Sequence, residues 1–186
     1  VKIYVTRFGS LITKEWGVPS LRDISYGLAN IIRYNGSSRK LISVAAHSIF
    51  VYELATYFKE PLNIRLHCLL HDAAECVIGD IPSAFKVPEI ITIENQVLDR
   101  ILVSMGLTSP NQSEAIVIKK YDYEALCIEI HHLDGGGEGN KDLVHRPILE
   151  YPFDLISKFN ERLQTFTNWD EEYEVLARQL LKEFHV

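Results

Sequence analysis

The sequence predicts an all-α helical bundle carrying a small N-terminal β-hairpin. Apolar residues recur at helical spacing through most of the chain, and the stretches that carry them are separated by Asn35-Gly36, Gly79-Asp80-Ile81-Pro82 and Pro110-Asn111. Strand-like alternation is confined to residues 2–12, around Gly9-Ser10. No repeat and no internal linker breaks this pattern, so residues 1–186 read as one domain with one sizeable core.

Composition narrows the function classes. A hydrophobic share of 47% and a charged share of 24% are those of an ordinary water-soluble globule. No apolar run approaches the roughly 18 residues of a membrane span, and Val1-Lys2-Ile3-Tyr4 has no signal-peptide core, so neither a membrane nor secretion is expected. Cys68, Cys76 and Cys127 are odd in number and set in apolar stretches, which argues against a disulfide scaffold and for a cytoplasmic location. The net charge of −6 speaks against general nucleic-acid binding but leaves room for a small phosphorylated ligand.

Taken in order, Ser20 to Arg33 reads as the first helix. Ile24, Leu28, Ile31 and Ile32 form its apolar stripe, and Asn35-Gly36 stops it. A basic loop, Ser37-Ser38-Arg39-Lys40, follows. Ser43 caps the second helix, which sets His47 on the inward face with Val44, Val51, Leu54, Ala55 and Phe58. A third helix starts at Pro61 and carries His67, His71, Asp72 and Glu75. His67 reads as structural. A long helix runs from Val87 or Pro88 to Gly106, and a further one reaches about Leu133 with Asp122 and Glu129 on one apolar face. Asp134 to Asn140 is a glycine-rich loop, with His131 and His132 at its border facing solvent. Pro152 to Phe166 and Trp169 to Phe184 complete the chain as amphipathic helices, the last capped by Asn168.

The chemistry concentrates in Leu69-Leu70-His71-Asp72-Ala73-Ala74-Glu75. Ionisable side chains in an apolar helix are expensive to bury unless paired or bound to a metal. His71 and Glu75 stand i, i+4, and Asp72 can reach the same point from the side. Imidazole nitrogen and carboxylate oxygen suit Zn, Mn, Co or Fe. A buried His–Asp hydrogen bond closing a helix end would satisfy the same residues. His47 on its own reads as a satisfied core histidine ahead of a ligand, and Asp122 equally as an edge carboxylate or a ligand.

The ordered set resolves these alternatives. Arg33-Tyr34-Asn35-Gly36, Ser43 through His47-Ser48, His71-Asp72-Ala73-Ala74-Glu75, Gly79-Asp80-Ile81-Pro82, Lys86 and Asp122 together resemble the HD-domain metal-dependent phosphohydrolases. The likeness is to the bacterial 5′-deoxynucleotidase branch and its phage and prophage relatives, over roughly residues 20 to 130. The resemblance implies that His47, His71, Asp72 and Asp122 hold one divalent ion (Co, Mn, Zn or similar). It implies that Glu75 orients a metal-activated water or takes its proton, and that Asp80 helps hold the water or a sugar hydroxyl. Arg33 and Lys86 would meet phosphate, with Arg39 a further candidate of the same kind.

Two positions depart from the family pattern. Tyr34 stands where a tryptophan would contact the nucleoside, and Ala84 stands where a second proline often follows Gly-Asp-x-Pro. Trp16 is a candidate cover for a base, or a core or interface residue. The resemblance implies hydrolysis of a (deoxy)nucleotide phosphate ester, most simply as a 5′-deoxynucleotidase. A deoxynucleoside triphosphate triphosphohydrolase is the alternative, and a non-catalytic nucleotide-binding regulator on the same scaffold is a second. The expected partners are a small-molecule nucleotide and further copies of the chain in a homo-oligomer.

Overall fold

The computed structural model describes residues 2–13, 15, 17–133, 153–165 and 168–186. Two short strands, β1 (Tyr4–Val5) and β2 (Leu11–Ile12), pair antiparallel with Tyr4 opposite Ile12. Helices α1 (Leu21–Asn30), α2 (Val44–Tyr57), α3 (Leu62–Leu70), α4 (Glu75–Ile78), α5 (Pro88–Ser104), α6 (Gln112–His132), α7 (Phe153–Thr165) and α8 (Trp169–Phe184) follow. The expected Trp16 and the glycine-rich loop from Asp134 to Asn140 lie outside the described residues.

Helix α2 is the centre. Every residue from Val44 to Val51 is buried, because the run is apolar on all sides except at His47 and Ser48. Ser43 accepts a hydrogen bond from the Ala46 amide, which fixes where the helix begins. Around it, α1, α3, α6 and α8 pack directly on α2, and α8 also crosses α1 and α3. Tyr173 of α8 is wholly buried and donates its hydroxyl to the Leu69 carbonyl near the end of α3. Among the described residues no helix is long and apolar enough to cross a membrane.

Two boundaries and one cap differ from the sequence expectation. Helix α1 stops at Asn30, three residues short of Arg33. Ile31 and Ile32 are extended, with the Val44 amide donating to the Ile31 carbonyl and the Arg33 amide to the Ile42 carbonyl. Ile32 thereby bridges Ser43, and this long-range pairing outcompetes another helical turn. The helix expected to carry His71 through Glu75 is interrupted: Ala73 bonds back to Leu70 and Glu75 to Asp72, an i→i−3 winding. In an ideal α-helix, residues four apart differ by about 40° in direction. The tighter winding departs from that spacing, and the two side chains have different partners, His71 meeting Asp72 and Glu75 meeting Lys86. Asn168 occupies the N-cap of α8, but its side chain accepts no cap hydrogen bond and its amide faces Glu171 at 3.3 Å.

The hairpin is anchored to α1 through Asp23. Its carboxylate accepts from the Phe8 amide (2.9 Å), the Ser10 hydroxyl (2.7 Å) and the Ser20 hydroxyl (2.6 Å). Burial raises its pKa, but hydrogen bonds from Ser20, Thr6, Ser10 and Phe8 outweigh it and bring the value down to about 2. A depressed carboxyl pKa contributes stability that is complete above the unfolded value and is lost as pH falls through the folded one. Asp23 therefore contributes about 2 kcal/mol that fades between roughly pH 5 and pH 2. Urea unfolding across that range should show a shallower acid decline in Asp23→Asn than in the wild type. Parallel curves would show that the anchor carries no charge-dependent stability.

Candidate metal centre

Four side chains from three elements converge beside α2. His47 projects from α2, His71 and Asp72 lie in the turn that ends α3, and Asp122 comes from the middle of α6. His47 Nε2 is 3.1 Å from Asp122 Oδ1 and 3.9 Å from Asp72 Oδ2. His71 Nε2 is 3.0 Å from Asp72 Oδ2 and 3.6 Å from Asp122 Oδ1. One ligand atom each from His47, His71 and Asp122 lies within 4.8 Å of the others. His47 is fully buried, while the Asp122 side chain is 37% exposed, so the cluster is roofed by protein on one side and open on the other.

Hydrogen bonds behind the cluster fix both imidazoles. His71 Nδ1 is 2.9 Å from the Cys68 carbonyl, which can only accept, so Nδ1 carries the proton. His47 Nδ1 is 2.7 Å from Glu129 Oε1 and donates to it in the same way. Each ring therefore turns Nε2, its remaining ligand atom, towards the two aspartates. His71 Nε2 is buried and has no hydrogen-bond partner despite its short approach to Asp72. Neutral rings would set two nitrogen lone pairs against two carboxylates, a repulsion that a proton or a bound metal ion relieves, and a histidine whose second nitrogen is held by a carbonyl or carboxylate is the usual form of a metal-binding one. The donor set fits a divalent ion.

The electrostatics have the same sign. Burial opposes protonation of His71, yet Asp72 and Asp122 raise its pKa well above the usual imidazole range. Burial raises the carboxyl of Asp122, yet His47 and His71 hold it well below the ordinary value. The site draws in positive charge.

The remaining sequence-predicted residues fall into three groups. Glu75, at the start of α4, is buried; its Oε1 lies 3.7 Å from Lys86 Nζ and its Oε2 has no partner. Burial, with the charges of Asp72 and Asp80 beside it, pushes Glu75 up to about 9. Asp80 is half-buried and its pKa is raised, chiefly by burial, within the fields of Arg33, Asp72, His47 and Lys86. Lys86 pairs with Glu94 at 2.7 Å. These three stand beside the cluster. Arg39 lies exposed in the loop before α2, and Ala84 lies exposed in a 3₁₀ turn spanning Ser83–Phe85.

Arg33 and Tyr34 take a position that the sequence did not suggest. They open a 3₁₀ turn, Arg33–Gly36, rather than closing α1. Arg33 Nε donates to Glu129 Oε2 at 3.1 Å, and the Tyr34 hydroxyl donates to the same oxygen at 2.5 Å. Tyr34 (φ 58) and Asn35 (φ 51) are both left-handed, a conformation that costs an L-residue about 1–2 kcal/mol. Glu129, which gathers Arg33, Tyr34 and His47, is the residue whose role was missed. Its signal was a carboxylate in an apolar stripe, seven residues after Asp122 and so on the same face.

An open cleft of about 280 Å³ reaches the cluster through His71 and Asp122 and is walled by Leu70, Leu98, Leu102 and Ile118. Its volume is near the small end for ligand pockets. His67 also lines it, buried and with its pKa lowered by burial.

No protein-family model matches the chain. It is 40% identical over 132 residues to the uncharacterized protein RCAP_rcc00048 of Rhodobacter capsulatus, covering 67% of each. It is 30% identical over 79 residues to the uncharacterized protein YfdR of Escherichia coli, covering 41% of this chain and 42% of that one. Among solved structures, the HD phosphohydrolase (DatZ) of cyanophage S-2L, bound to dA and one catalytic Zn²⁺ ion, matches with a TM-score of 0.51. That match covers 86% of this chain and 95% of the phage chain at 18% identity, a likeness of fold.

Proposed function

We propose, from the premise that the chain belongs to one family with RCAP_rcc00048 and has the fold of an HD phosphohydrolase, that it hydrolyses the phosphate ester of a (deoxy)nucleoside monophosphate with a divalent metal ion. The observation that carries this reading is the pair of fixed imidazoles whose Nε2 atoms face Asp72 and Asp122. His47, His71, Asp72 and Asp122 would hold the ion. When bound, such an ion acts as a Lewis acid and brings the pKa of water from about 15.7 towards 7.

The chain's own residues do the rest. Glu75 Oε2, buried and unpartnered, is free to orient the attacking water and accept its proton. Burial and the charges of Asp72 and Asp80 raise its proton affinity, so once ionised beside the bound cation it is a stronger base than an ordinary carboxylate. Lys86 keeps Glu75 Oε1 turned away from that task. Arg33 meets the phosphate with the terminal nitrogens of its guanidinium, since its Nε is already committed to Glu129. Asp80 accepts from a sugar hydroxyl or from the water. The new P–O bond forms from water as the bond to the nucleoside oxygen breaks, giving nucleoside and inorganic phosphate. Because the phage enzyme binds dA, the walled cleft beside His71 and Asp122 is the natural place for a nucleoside.

Charge balance favours a monophosphate over a triphosphate. Among the described residues, Arg33 and Lys86 flank the cluster, each already paired with a carboxylate, and Lys119 lines the adjoining cleft. A divalent ion and one guanidinium fork match a single phosphate; a triphosphate brings several further charges.

The test is a product-resolved assay of purified protein loaded with Mn, Co or Zn, across nucleoside mono- and triphosphates. Inorganic phosphate and nucleoside from monophosphates are expected. Release of intact triphosphate would move the attack to a different phosphorus and favour the triphosphohydrolase. Nucleotide binding without turnover on any metal would make the protein a binding module.

A further inference from the structure

Glu129 is wholly buried on α6, two turns beyond Asp122. Three polar side chains from two other elements converge on it: His47 at Oε1, and Arg33 and Tyr34 at Oε2. We propose that Glu129 is a positioning residue that holds His47 as an Nε2 donor to the metal ion, and that Tyr34 serves as its clamp and not as a base-stacking aromatic. The proposal rests on the assignment of His47 as a metal ligand made above.

Four observations lead there. His47 has two carboxylates within hydrogen-bonding distance, Glu129 behind it at 2.7 Å and Asp122 in front at 3.1 Å. A neutral imidazole can donate to only one of them. If it donated to Asp122, the Nε2 lone pair would be lost to the metal. The charge of Glu129 decides the matter, because it keeps the proton on Nδ1 and makes Nε2 the more basic ligand.

The carboxylate itself is held in that state. Its two oxygens accept from three donors, His47 Nδ1, Arg33 Nε and the Tyr34 hydroxyl, and the Arg33 guanidinium balances its charge. A buried Arg–Glu pair is seldom worth more to stability than an apolar pair of the same size, so this one is not explained by folding alone.

Tyr34 is bent to its task. Its backbone is left-handed (φ 58, ψ 23), which is rare for an aromatic residue, and this turns the hydroxyl inward to within 2.5 Å of Glu129. One face of its ring lies against the Arg33 guanidinium, 5.3 Å from the ring centre. A ring pinned at its hydroxyl and covered on one face is poorly placed to follow a nucleobase. Glu129 also fixes Arg33 through Nε, so one buried carboxylate sets both a metal ligand and the phosphate fork.

The experiment measures metal binding directly. Wild type, Glu129→Gln, Tyr34→Phe and the double variant are titrated with Co²⁺ and Zn²⁺ against a chelator. The Co²⁺ absorption spectrum is recorded, with circular dichroism as a fold control. Glu129→Gln should weaken binding by about 10–100-fold and alter the Co²⁺ spectrum. Tyr34→Phe, which keeps the ring and removes only the hydroxyl, should weaken binding less, and should add nothing in the Glu129→Gln background. Its ranking of KM across nucleobases should match the wild type.

Unchanged metal affinity in Glu129→Gln would overturn the proposal. So would a Tyr34→Phe variant with wild-type metal affinity and an altered base preference. If Glu129→Gln does not fold, Tyr34→Phe alone decides, since deleting one hydroxyl leaves the rest of the turn in place. Wild-type protein that binds neither ion would overturn the metal reading and this inference with it, an outcome seen before any variant is compared.

Discussion

Asp72→Ala is expected to strip the divalent ion from the protein and lower turnover by about a thousandfold or more, a loss of roughly 4 kcal/mol of transition-state stabilisation. Asp72 sits in the turn between α3 and α4, with Oδ2 3.0 Å from His71 Nε2 and 3.9 Å from His47 Nε2. No other carboxylate approaches both imidazoles from that side among the described residues. Asp122 approaches from α6 and cannot fill the gap without moving its helix. The fold should persist, because the Asp72 side chain packs against the cluster and not in the apolar core. Metal content by elemental analysis and helicity by circular dichroism make the check. A variant with full metal occupancy and wild-type turnover would remove Asp72 from the ligand set.

How much of this was legible in the sequence depends on how far apart the deciding partners lie. Helices α2, α5 and α6 could be read because their signals are local. Ser43 caps one, Pro88 opens another, and Asn111 with Glu114 forms a capping box for the third. The inward direction of His47 and the shared face of Asp122 and Glu129 follow from helical spacing alone. The end of α1 could not be read in this way. Ile31 and Ile32 look like a continuing apolar stripe, and only pairing with Ile42, Ser43 and Val44 draws them into extended backbone.

The same distinction governs the site. The ordered motifs brought His47, His71, Asp72 and Asp122 to one place because each motif is short and its helix is predictable. Glu129 remained a flag without a role, since its partner His47 is 82 positions away and Arg33 is 96 away. Tyr34 was harder still. Left-handed backbone at an aromatic residue has no sequence signature, and the inward hydroxyl follows from it. The break between α3 and α4 belongs here too: His71 to Glu75 carries the period of an unbroken helix, yet Ala73 and Glu75 form i→i−3 hydrogen bonds and Glu75 meets Lys86.

The proposed mechanism gives Glu75 a task separate from the metal, and Glu75→Gln tests it. In a continuous helix His71 and Glu75 would reach the same point, and Glu75 would compete for the metal. In the structure Glu75 turns towards Lys86 and leaves Oε2 buried without a partner. Gln keeps the volume and hydrogen-bonding reach of the side chain but cannot take a proton. Metal content should therefore stay at the wild-type level while kcat falls by about 10²–10⁴-fold, the range that a positioned general base contributes. KM should change little, because the proposed mechanism has Glu75 act on the water and not on the nucleotide. Loss of the metal in Glu75→Gln would place this carboxylate among the ligands, and unchanged kcat would leave the orphaned Oε2 without a catalytic part.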